Sequence, residues 1–320
     1  MISFFKWKKL GKIFNPKDLK KKTWMKEFAQ SPSVIIDRDR VRIFFCSRSS
    51  FDNKGNYISY ISYLDLDPKN MTKVIKICKK PVLKLGELGT FDEFGTNPVS
   101  VINYKNRLFA YYAGWTRCES VPYNAAIGLA ISDNFGENFK RAGNGPVLSY
   151  SYNEPFLIGS PRIRRFKNFW QLWYVAGKKW LLYNGKLEPV YKIRLAISKN
   201  GYDWKKIGED IIKDKIGENE CQASPDVFFK NKLYHMFFSY RSISNYKKGN
   251  GGYKIGYAYS KDMYNWTRND KLINITKSNF GWDSDMISYP NVFEYKGKIY
   301  MLYQGNGMGK SGFGIAVLEN

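Results

Sequence analysis

The chain has 320 residues, a formal net charge of +24, and hydrophobic and aromatic fractions of 43% and 17%. No segment approaches the roughly eighteen apolar residues of a membrane span, and the N-terminus lacks the apolar run of a secretory signal. A helical membrane span is therefore excluded. Because β-rich folds often reach this length as one domain, we expect a single domain over residues 1–320, located in the cytoplasm.

One phrase recurs along the chain: a proline, an apolar run, a polar turn and an aromatic-rich strand. The five copies are residues 32–45, 98–112, 161–174, 225–238 and 290–303. Their prolines are 66, 63, 64 and 65 residues apart. A second apolar phrase follows in three units, at 127–132, 193–198 and 255–260, with Phe or Trp six or seven residues further on. This pattern predicts four short strands per unit, as in a β-propeller blade.

The two ends of the chain complement each other. The fifth unit stops after residues 312–317 without its last strand, whereas residues 7–13 nearly copy residues 204–208, which end the third unit. We therefore expect an N-terminal strand, over about residues 5–14, to complete the C-terminal blade. The predicted fold is an all-β, five-bladed propeller whose ring this strand closes, which leaves no free ring edge.

The positive charge is spread over all units, mostly as lysine, which argues against a specific nucleic-acid site. The densest run comprises Lys17 and Lys20 to Lys22, with Lys6, Lys8 and Lys9 nearby. Such a run is a solvated rim of the closing blade or, alternatively, a site of weak attraction to an anionic membrane surface or polymer.

Acidic residues gather in the segments before the prolines, which in a propeller line the central pocket. Five residues before the prolines stand Glu27, Glu93, Phe156, Glu220 and Asp285, and Asp92, Glu154 and Asp283 lie one or two residues further out. Carboxylates that converge on a pocket are what glycosidic bond cleavage requires, one as acid and one as base or nucleophile. The alternative is that these acids cap turns or pair with the surplus Lys and Arg.

Arginine and aromatic residues provide candidate substrate contacts. Arg48 and Arg241 each lie sixteen residues after their prolines, at the end of a second strand that returns to the pocket. Their guanidinium groups are suited to an anionic sugar or phosphate, unless they only pair with the nearby acids. The candidate set also includes Trp115, Trp282 and Tyr289 as stacking rings, and Asn97, Arg162, Gln222 and Asp226 near the prolines.

Other chemistries find little support. The single histidine, His235, lies inside a predicted strand and is expected to be a core residue. The four cysteines, Cys46, Cys78, Cys118 and Cys221, are scattered and are expected to be thiols rather than disulfides. The sequence shows no phosphate-binding loop, dinucleotide fingerprint or nucleophile elbow. We therefore predict neither a metal nor a cofactor.

Residues 224–228, 289–293 and 298–303 resemble the five-bladed propellers of glycoside hydrolase families 43, 32, 68 and 130. More closely, residues 89–95, 281–286 and 303–307 resemble uncharacterised glycosidase-like proteins of bacterial surface-polysaccharide gene clusters. The resemblance departs from the family pattern where Ser31 and Gly159 replace expected acids. Glu220 followed by Cys221 is similar to the acid-bearing pair of family 32, and Asp226 matches a position that modulates a pKa.

These observations lead to one main hypothesis. The protein cleaves or transfers a glycosyl group in surface-polysaccharide metabolism, with Glu220 as acid and one of Asp92, Asp283 or Asp285 as base or nucleophile. Glu93 tunes their pKa values, and the ligand is a carbohydrate or sugar nucleotide with an anionic group. The alternative is an inactive propeller of the same descent that binds a glycan or serves as a scaffold.

Overall fold

Strands make up nearly all of the regular structure in the computed structural model, which describes residues 4–19, 23–53, 55–244, 246 and 251–319. Short helical segments occur at Pro16–Asp18, Asp270–Leu272 and Asn306–Gly309. The strands pair almost throughout with their neighbours in the chain, antiparallel, in four sheets. The protein is therefore all-β, as the alternating pattern predicts.

Three of the sheets use strands that are consecutive in the chain. The largest contains β2 (Glu27–Asp37), β3 (Arg40–Arg48), β4 (Ser59–Asp67), β5 (Asn70–Ile77), β6 (Gly95–Tyr104), β7 (Arg107–Thr116), β8 (Asn124–Ser132) and β9 (Lys140–Arg141). One parallel bridge, between Ser59 and Gly95, joins its halves β2–β5 and β6–β9. The next contains β10 (Ile158–Phe166), β11 (Phe169–Tyr183), β12 (Lys186–Ser198) and β13 (Lys205–Lys206). Another contains β14 (Cys221–Lys230), β15 (Leu233–Arg241), β16 (Lys254–Ser260) and β17 (Thr267–Arg268).

The remaining sheet combines both ends of the chain. It contains β18 (Ser288–Tyr295), β19 (Lys298–Gln304), β20 (Phe313–Leu318) and β1 (Trp7–Phe14). Strand β1 pairs antiparallel with β20, from Trp7 opposite Leu318 to Phe14 opposite Phe313. The N-terminal strand is thus the outermost strand of this sheet, as β13 and β17 are in theirs.

Each repeated proline lies near the start of a strand that forms a hairpin with the next strand. We call β2, β6, β10, β14 and β18 the proline-containing strands. In all five, the pairing register shifts at the proline. Proline has no backbone N–H and cannot complete the ladder, so the strand bulges there. The preceding residue has a positive φ in four strands, at Ser31, Ser160, Ser224 and Tyr289.

Polar side chains connect the proline-containing strands to one another. A serine, asparagine or aspartate just after the proline accepts a hydrogen bond from the backbone or from an arginine of another proline-containing strand. The contacts, in chain order and back to the first strand, are Ser33 with Val101, Ser100 with Ile163, Arg164 with Asp226, Asp226 with Val292, and Asn291 with Val34. Each proline-containing strand therefore has two others as neighbours.

Large aromatic side chains fill the space between the sheets. Trp170, Trp173, Tyr111, Tyr174 and Tyr257 are among the fully buried residues. Full burial of one large apolar side chain contributes roughly 1.5–3 kcal/mol, so these rings supply much of the drive to stack the sheets. This packing uses a large part of the 17% aromatic content of the sequence.

Candidate functional site: a cavity lined by arginine and tyrosine

A cavity of about 860 Å³ lies where the proline-containing strands begin. Its wall includes one or two residues from the start of each of these strands: Gln30, Asn97, Gly159, Ser160, Ala223 and Tyr289. Most of the rest of the wall comes from the ends of the second strands, from the loops after them and from the first residues of the third strands. Its size falls within the range of roughly 300–1,000 Å³ for small-molecule sites.

Five of the predicted substrate-binding residues line this cavity. They are Arg48, Asn97, Trp115, Arg241 and Tyr289. Both arginines end the second strand of a hairpin, β3 and β15, and those strands return to the end of the sheet where the proline-containing strands begin. The spacing of sixteen residues after the proline therefore places equivalent guanidinium groups at one end of the fold.

Arg241 is only 4% exposed and is surrounded by phenol rings. Its Nη2 donates to the Tyr191 hydroxyl at 3.2 Å, its Nη1 donates to the Ser242 carbonyl at 3.0 Å, and its guanidinium lies 3.6 Å from the Tyr246 ring centroid. Its buried Nε has no hydrogen-bond partner among the residues that the structure describes. Arg241 forms no ion pair with a carboxylate in the described part of the chain. A guanidinium stays protonated, so it holds a positive charge at this wall.

Arg48 presents a second positive charge to the cavity. Its Nε donates to Gln30 Oε1 at 3.1 Å, and its guanidinium lies 4.3 Å from the Phe28 ring centroid and 5.2 Å from that of Tyr57. Burial lowers the pKa of Arg48 from its ordinary value. Within the described residues, no carboxylate pairs with this side chain.

Tyrosines connect the two arginines electrostatically. Tyr123 and Tyr289, which both line the cavity, each interact electrostatically with both Arg48 and Arg241. Burial raises the pKa of Tyr289 and Tyr191 well above the usual range. At neutral pH these hydroxyls are therefore uncharged groups that can donate hydrogen bonds.

The predicted catalytic acids Asp92, Glu220 and Asp283 do not line the cavity. They are buried, at 1%, 1% and 2% exposure, and each forms an ion pair at 2.6 Å with a cation of the outermost strand of a sheet. Here the structure differs from the expected convergence of the acids on the pocket. Lys and Arg side chains of the outermost strands pair with these acids instead, in agreement with the alternative prediction from the sequence.

This arrangement occurs four times among the described residues, and we call it the acid clasp. It joins a buried acid, from the segment before a proline-containing strand, to a cation of an outermost strand. The four pairs are Asp92 with Arg141, Glu154 with Lys206, Glu220 with Arg268, and Asp283 with Lys9. A tyrosine hydroxyl also donates to the acid in three of them, from Tyr112, Tyr174 and Tyr303.

At Glu154, the acid clasp favours the ionised carboxylate. Burial alone would raise the pKa of Glu154, but Lys206, Arg194 and Tyr174 outweigh it and lower that pKa. Glu220 accepts hydrogen bonds from Arg268, from Gln222 and from the backbone N–H groups of Lys215 and Ile216. Glu220 therefore has both carboxylate oxygens occupied.

The other predicted acids also lie off the cavity wall. Glu93 accepts a hydrogen bond from the Gly89 N–H at 2.9 Å, and Asp285 is exposed, with its backbone N–H bonded to Asn306 Oδ1. Glu27 accepts from the Tyr57 hydroxyl at 2.8 Å, so it touches a residue of the wall without joining it.

Arg162 and Asp226, two further predicted substrate contacts, instead tie the proline-containing strands together. Arg162 is 2% exposed and donates to the carbonyls of Pro32 and Pro290, at 3.1 and 3.2 Å. Burial lowers its pKa to about 10. Asp226 binds Arg164 and the strand β18.

Gln222 and Trp282 likewise contact protein rather than the cavity. The Gln222 amide donates to the Ile212 carbonyl and to Glu220, and Trp282 stacks on Tyr303 with ring centroids 5.2 Å apart. Arg162, Asp226, Gln222 and Trp282 are therefore absent from the wall. The sequence does not reveal this, because a position beside the proline or in the preceding segment does not fix the direction of the side chain.

Sequence reasoning missed wall residues in the loops that follow the second strands and in the first part of β12. They include Tyr57, Arg117, Glu119, Tyr123, Glu188, Tyr191, Tyr246 and Tyr253. The Tyr246 hydroxyl donates to Glu188 at 2.8 Å, and the Tyr191 and Tyr253 hydroxyls bond to each other. The sequence signal that could have found such residues is the pair Tyr246 and Tyr253, in the segment that follows Arg241.

Other predicted features have simple structural outcomes. His235 is a buried core residue that bonds the Tyr257 hydroxyl at 2.7 Å and the Lys230 carbonyl, as predicted. All four cysteines are free thiols. Across the described residues, no group of three or more His, Cys, Asp or Glu is placed to hold a metal ion. In the same residues, no helix has the length and apolarity to cross a membrane. Lys20 to Lys22 lie outside the described residues.

Comparison with solved structures identifies the class of fold. A glycoside hydrolase superposes with a TM-score of 0.73 at 17% identity, covering 97% of this chain and 90% of its own. A structure from a study of GH130 mannoside phosphorylases and β-1,2-mannan hydrolases gives 0.71 at 13% identity, covering 98% and 94%. A thermostable family-43 glycoside hydrolase gives 0.64 at 16%, covering 91% and 88%. The chain has a glycoside hydrolase-like β-propeller fold, which confirms the resemblance seen in the sequence.

Sequence comparison gives the family. No family model matches the chain. The uncharacterized protein Rv1502 of Mycobacterium tuberculosis (strain ATCC 25618 / H37Rv) is 33% identical over 315 residues, which are 98% of this chain and 99% of that protein. The uncharacterized protein MT1551 of strain CDC 1551 / Oshkosh matches to the same extent. The chain belongs to the family of these two mycobacterial proteins.

Proposed function

We propose that the protein binds an anionic carbohydrate in the cavity, through Arg48 and Arg241. One observation carries the proposal: both guanidinium groups lie in the wall, and neither pairs with a carboxylate of the described residues. A charge that is removed from water without a counter-ion is costly, and a carboxylate or phosphate on a bound sugar compensates it. Two guanidinium groups around one space suit bidentate contact with such a group.

Neighbouring wall residues supply contacts for the rest of the sugar. Trp115 and Tyr289 offer apolar ring surface, and the buried Asn97 Oδ1 and Arg241 Nε have no hydrogen-bond partner within the described part of the chain. Sugar hydroxyls provide donors for that amide oxygen, and an acidic group accepts from that guanidinium N–H. The cavity therefore offers both the flat surface and the unpaired polar atoms that a carbohydrate ligand uses.

We also propose that the sheets form five blades of a closed ring. Support comes from the near-constant proline spacing, from the pairing of β1 with β20, and from the contacts that lead from β2 through the other proline-containing strands and back. In this arrangement the cavity lies on the ring axis.

Calorimetric titration with matched ligands tests the binding proposal. Methyl glucuronide, glucose 1-phosphate and UDP-glucuronate provide anionic groups, and methyl glucoside is the neutral control. We expect binding of at least one anionic ligand, and a loss of roughly 10- to 100-fold in affinity in Arg48→Gln and in Arg241→Gln, as hydrogen bonds to charged groups contribute about 1.5–3 kcal/mol. Arg165→Gln, at an exposed arginine far from the cavity, is the matched control.

Two results would contradict the proposal. One is equal affinity for methyl glucoside and for its charged counterparts. The other is unchanged affinity in both cavity variants while circular dichroism shows that they remain folded. Either result would remove the role assigned to the two arginines.

Glycosyl cleavage or transfer is the second candidate, because two carboxylates, Glu119 and Glu188, do line the cavity. Hydrolysis needs an acid that protonates the leaving oxygen and a base that takes a proton from the attacking water. Glu188 accepts a hydrogen bond from Tyr246 and is the better held of the two, since Glu119 is exposed. Catalysis through Glu220, Asp92, Asp283 or Asp285 stays a prediction.

The second candidate predicts hydrolysis of an aryl glycoside or aryl uronide that depends on Glu188. We expect Glu188→Gln to lose most of the turnover while it retains ligand binding, and Glu209→Gln, at an exposed glutamate outside the cavity, to keep the parent rate. Equal turnover in the parent and Glu188→Gln would sink this assignment.

The wider role is inferred from the resemblance alone. Participation in bacterial surface-polysaccharide metabolism, a sugar nucleotide as the natural ligand, and a cytoplasmic location stay predictions. The binding proposal does not depend on them, because it rests on the charges and unpaired atoms of the cavity wall.

A further inference from the structure

The hairpin turns after the five proline-containing strands concentrate positive charge. Each turn region carries two exposed cations: Arg38 and Arg40, Lys105 and Arg107, Arg165 and Lys167, Lys230 and Lys232, and Lys296 and Lys298. Asp37 and Asp39 are the acids in the same segments, 37–40, 104–107, 165–169, 229–232 and 295–298. Ten cations and two acids give +8, which is a third of the chain's +24. We call this set of turns the basic face.

The basic face lies at the end of the strands opposite the cavity. The cavity wall includes the starts of the proline-containing strands, whereas the turns follow the ends of the same strands. These strands have 8 to 11 residues, so at about 3.3 Å per residue the two ends are roughly 25–35 Å apart. A ligand in the cavity and a partner at the basic face therefore occupy separate sites.

Among the described residues, carboxylates neutralise few cations of the basic face. Arg107 pairs with Asp133 at 2.6 Å, and Lys296 pairs with Asp39 at 3.3 Å. The other eight form no ion pair within the described ranges of the chain. Their charge is therefore available to an external anion.

The backbone conformation of these turns does not favour lysine. Lys105, Lys167, Lys232 and Lys296 have φ values of 51°, 48°, 62° and 48°, in the left-handed region. Tight hairpin turns favour asparagine, aspartate or glycine in this region, since a longer L side chain is disfavoured there. Lysine at four such positions is thus not explained by turn formation.

Exposed aromatic rings accompany the charges. Phe169 and Phe229 border the turns and are 43% and 52% exposed. Tyr202 and Tyr264 are 41% and 46% exposed, in the connections from β12 to β13 and from β16 to β17, which lie at the same end of the sheets. Aromatic rings among Lys and Arg are typical of surfaces that contact the headgroup region of a membrane.

We propose that the basic face docks on an anionic phospholipid bilayer. The lysines and arginines are attracted to the negative headgroups, and Phe169 and Phe229 enter the interfacial region. The exposed phenylalanines favour a bilayer over a nucleic acid, because a phosphate backbone offers no apolar region for them. In the docked orientation the cavity faces away from the bilayer, open to soluble ligand. This inference is independent of the anionic-carbohydrate proposal.

Co-sedimentation with vesicles tests the inference on the full chain. We expect binding to vesicles of 70% phosphatidylcholine and 30% phosphatidylglycerol at low salt, and little binding to pure phosphatidylcholine. A variant with Lys105, Lys167, Lys230 and Lys232 changed to Gln should bind at least roughly tenfold more weakly, because each cation near such a surface contributes about 1 kcal/mol. The variant with Phe169→Ser and Phe229→Ser should also bind more weakly, with its salt dependence unchanged.

A charge-matched control separates this face from net charge. Lys26, Lys80, Lys84 and Lys213 are exposed and lie in the segments that precede proline-containing strands, toward the cavity end. Changing these four to Gln removes the same charge, and we expect vesicle affinity within twofold of the parent.

The possible outcomes are decisive. Equal losses in the two lysine variants would show attraction of the whole charged molecule and overturn the docking face. Unchanged binding in the phenylalanine variant, or tighter binding to duplex DNA than to the anionic vesicles at the same salt, would overturn the bilayer as partner. Loss confined to the basic-face variants supports the proposal.

Discussion

At the scale of single residues, the neighbours of an acid decide what it does. Asp92 and Asp283 stand in segments that precede proline-containing strands, where the sequence predicts catalytic carboxylates. Here Arg141 and Lys9, on outermost strands, pair with them at 2.6 Å. A carboxylate that is held this way links two distant parts of a sheet, and its removal leaves a cation without a partner.

The acid clasp predicts a stability effect at Asp92. Asp92→Asn removes the charge that accepts from Arg141 Nε and Nη2, at 2.9 and 2.6 Å, while the side chain keeps its shape. Breaking a buried ion pair from one side costs about 3 kcal/mol or more in the free energy of unfolding, which urea denaturation measures. We expect Asp92→Asn, Arg141→Gln to be closer to the parent than Asp92→Asn alone.

Asp133→Asn is the matched control for this prediction. Asp133 also pairs with an arginine, Arg107, at 2.6 Å, but the two side chains are 74% and 47% exposed. Exposed pairs contribute little, so we expect a change below about 1 kcal/mol. Equal losses in Asp92→Asn and Asp133→Asn would mean that the acid clasp has no special structural role.

At the scale of elements, β1 provides an outermost strand to a sheet made from the other end of the chain. It covers the edge of β20, and it brings Lys9 to Asp283. The pairing continues just outside the two strands, since the Glu319 N–H, after β20, donates to the carbonyl of Lys6, before β1, at 2.9 Å. An uncovered β20 would present unpaired backbone groups, which promote aggregation.

This pairing makes a prediction about chain connectivity. Deletion of residues 1–14 should abolish cooperative thermal unfolding and cause aggregation. A permuted chain that begins at Asn15 and carries residues 1–14 after Asn320, through a short glycine-serine linker, should recover a single cooperative transition. The prediction fails if the truncated chain unfolds as cooperatively as the parent, followed by circular dichroism on heating.

Other elements position the cavity. The bulge at each proline redirects the start of a strand, and the loops after the second strands add tyrosines to the wall. The hairpin of β11 and β12 is the longest, at 15 and 13 residues, and its tip adds Leu182, Lys186 and Glu188. Lengthening one hairpin therefore extends the wall without altering the sheet beneath it.

At the scale of the whole molecule, the strands separate two kinds of charge. Arg48 and Arg241 are enclosed with tyrosines at one end, where a small anion can replace water. The cations of the basic face are exposed at the other end, where a large anionic surface can approach. The overall charge of +24 reports neither site, because it does not show which cations are paired and which face they share.

The sequence by itself determined the features that follow from local periodicity. Alternating apolar residues, turn residues and equally spaced prolines specify strands and hairpins, because side chains alternate across a strand and turns need particular backbone angles. The same repeat alignment placed Arg48 and Arg241 at equivalent strand ends, and both line the cavity. These signals are contained within each unit of the chain.

Tertiary structure decided which charged groups meet. Asp92 and Arg141 are 49 residues apart in the sequence, and Asp283 and Lys9 are 274 residues apart. A local sequence pattern therefore cannot predict either pair. Side-chain direction near the bulges, which separates Asn97 in the wall from Gln222 outside it, also depends on packing. A carboxylate's chemistry depends on its charged neighbours and on its exposure to water, and only the folded chain brings those together.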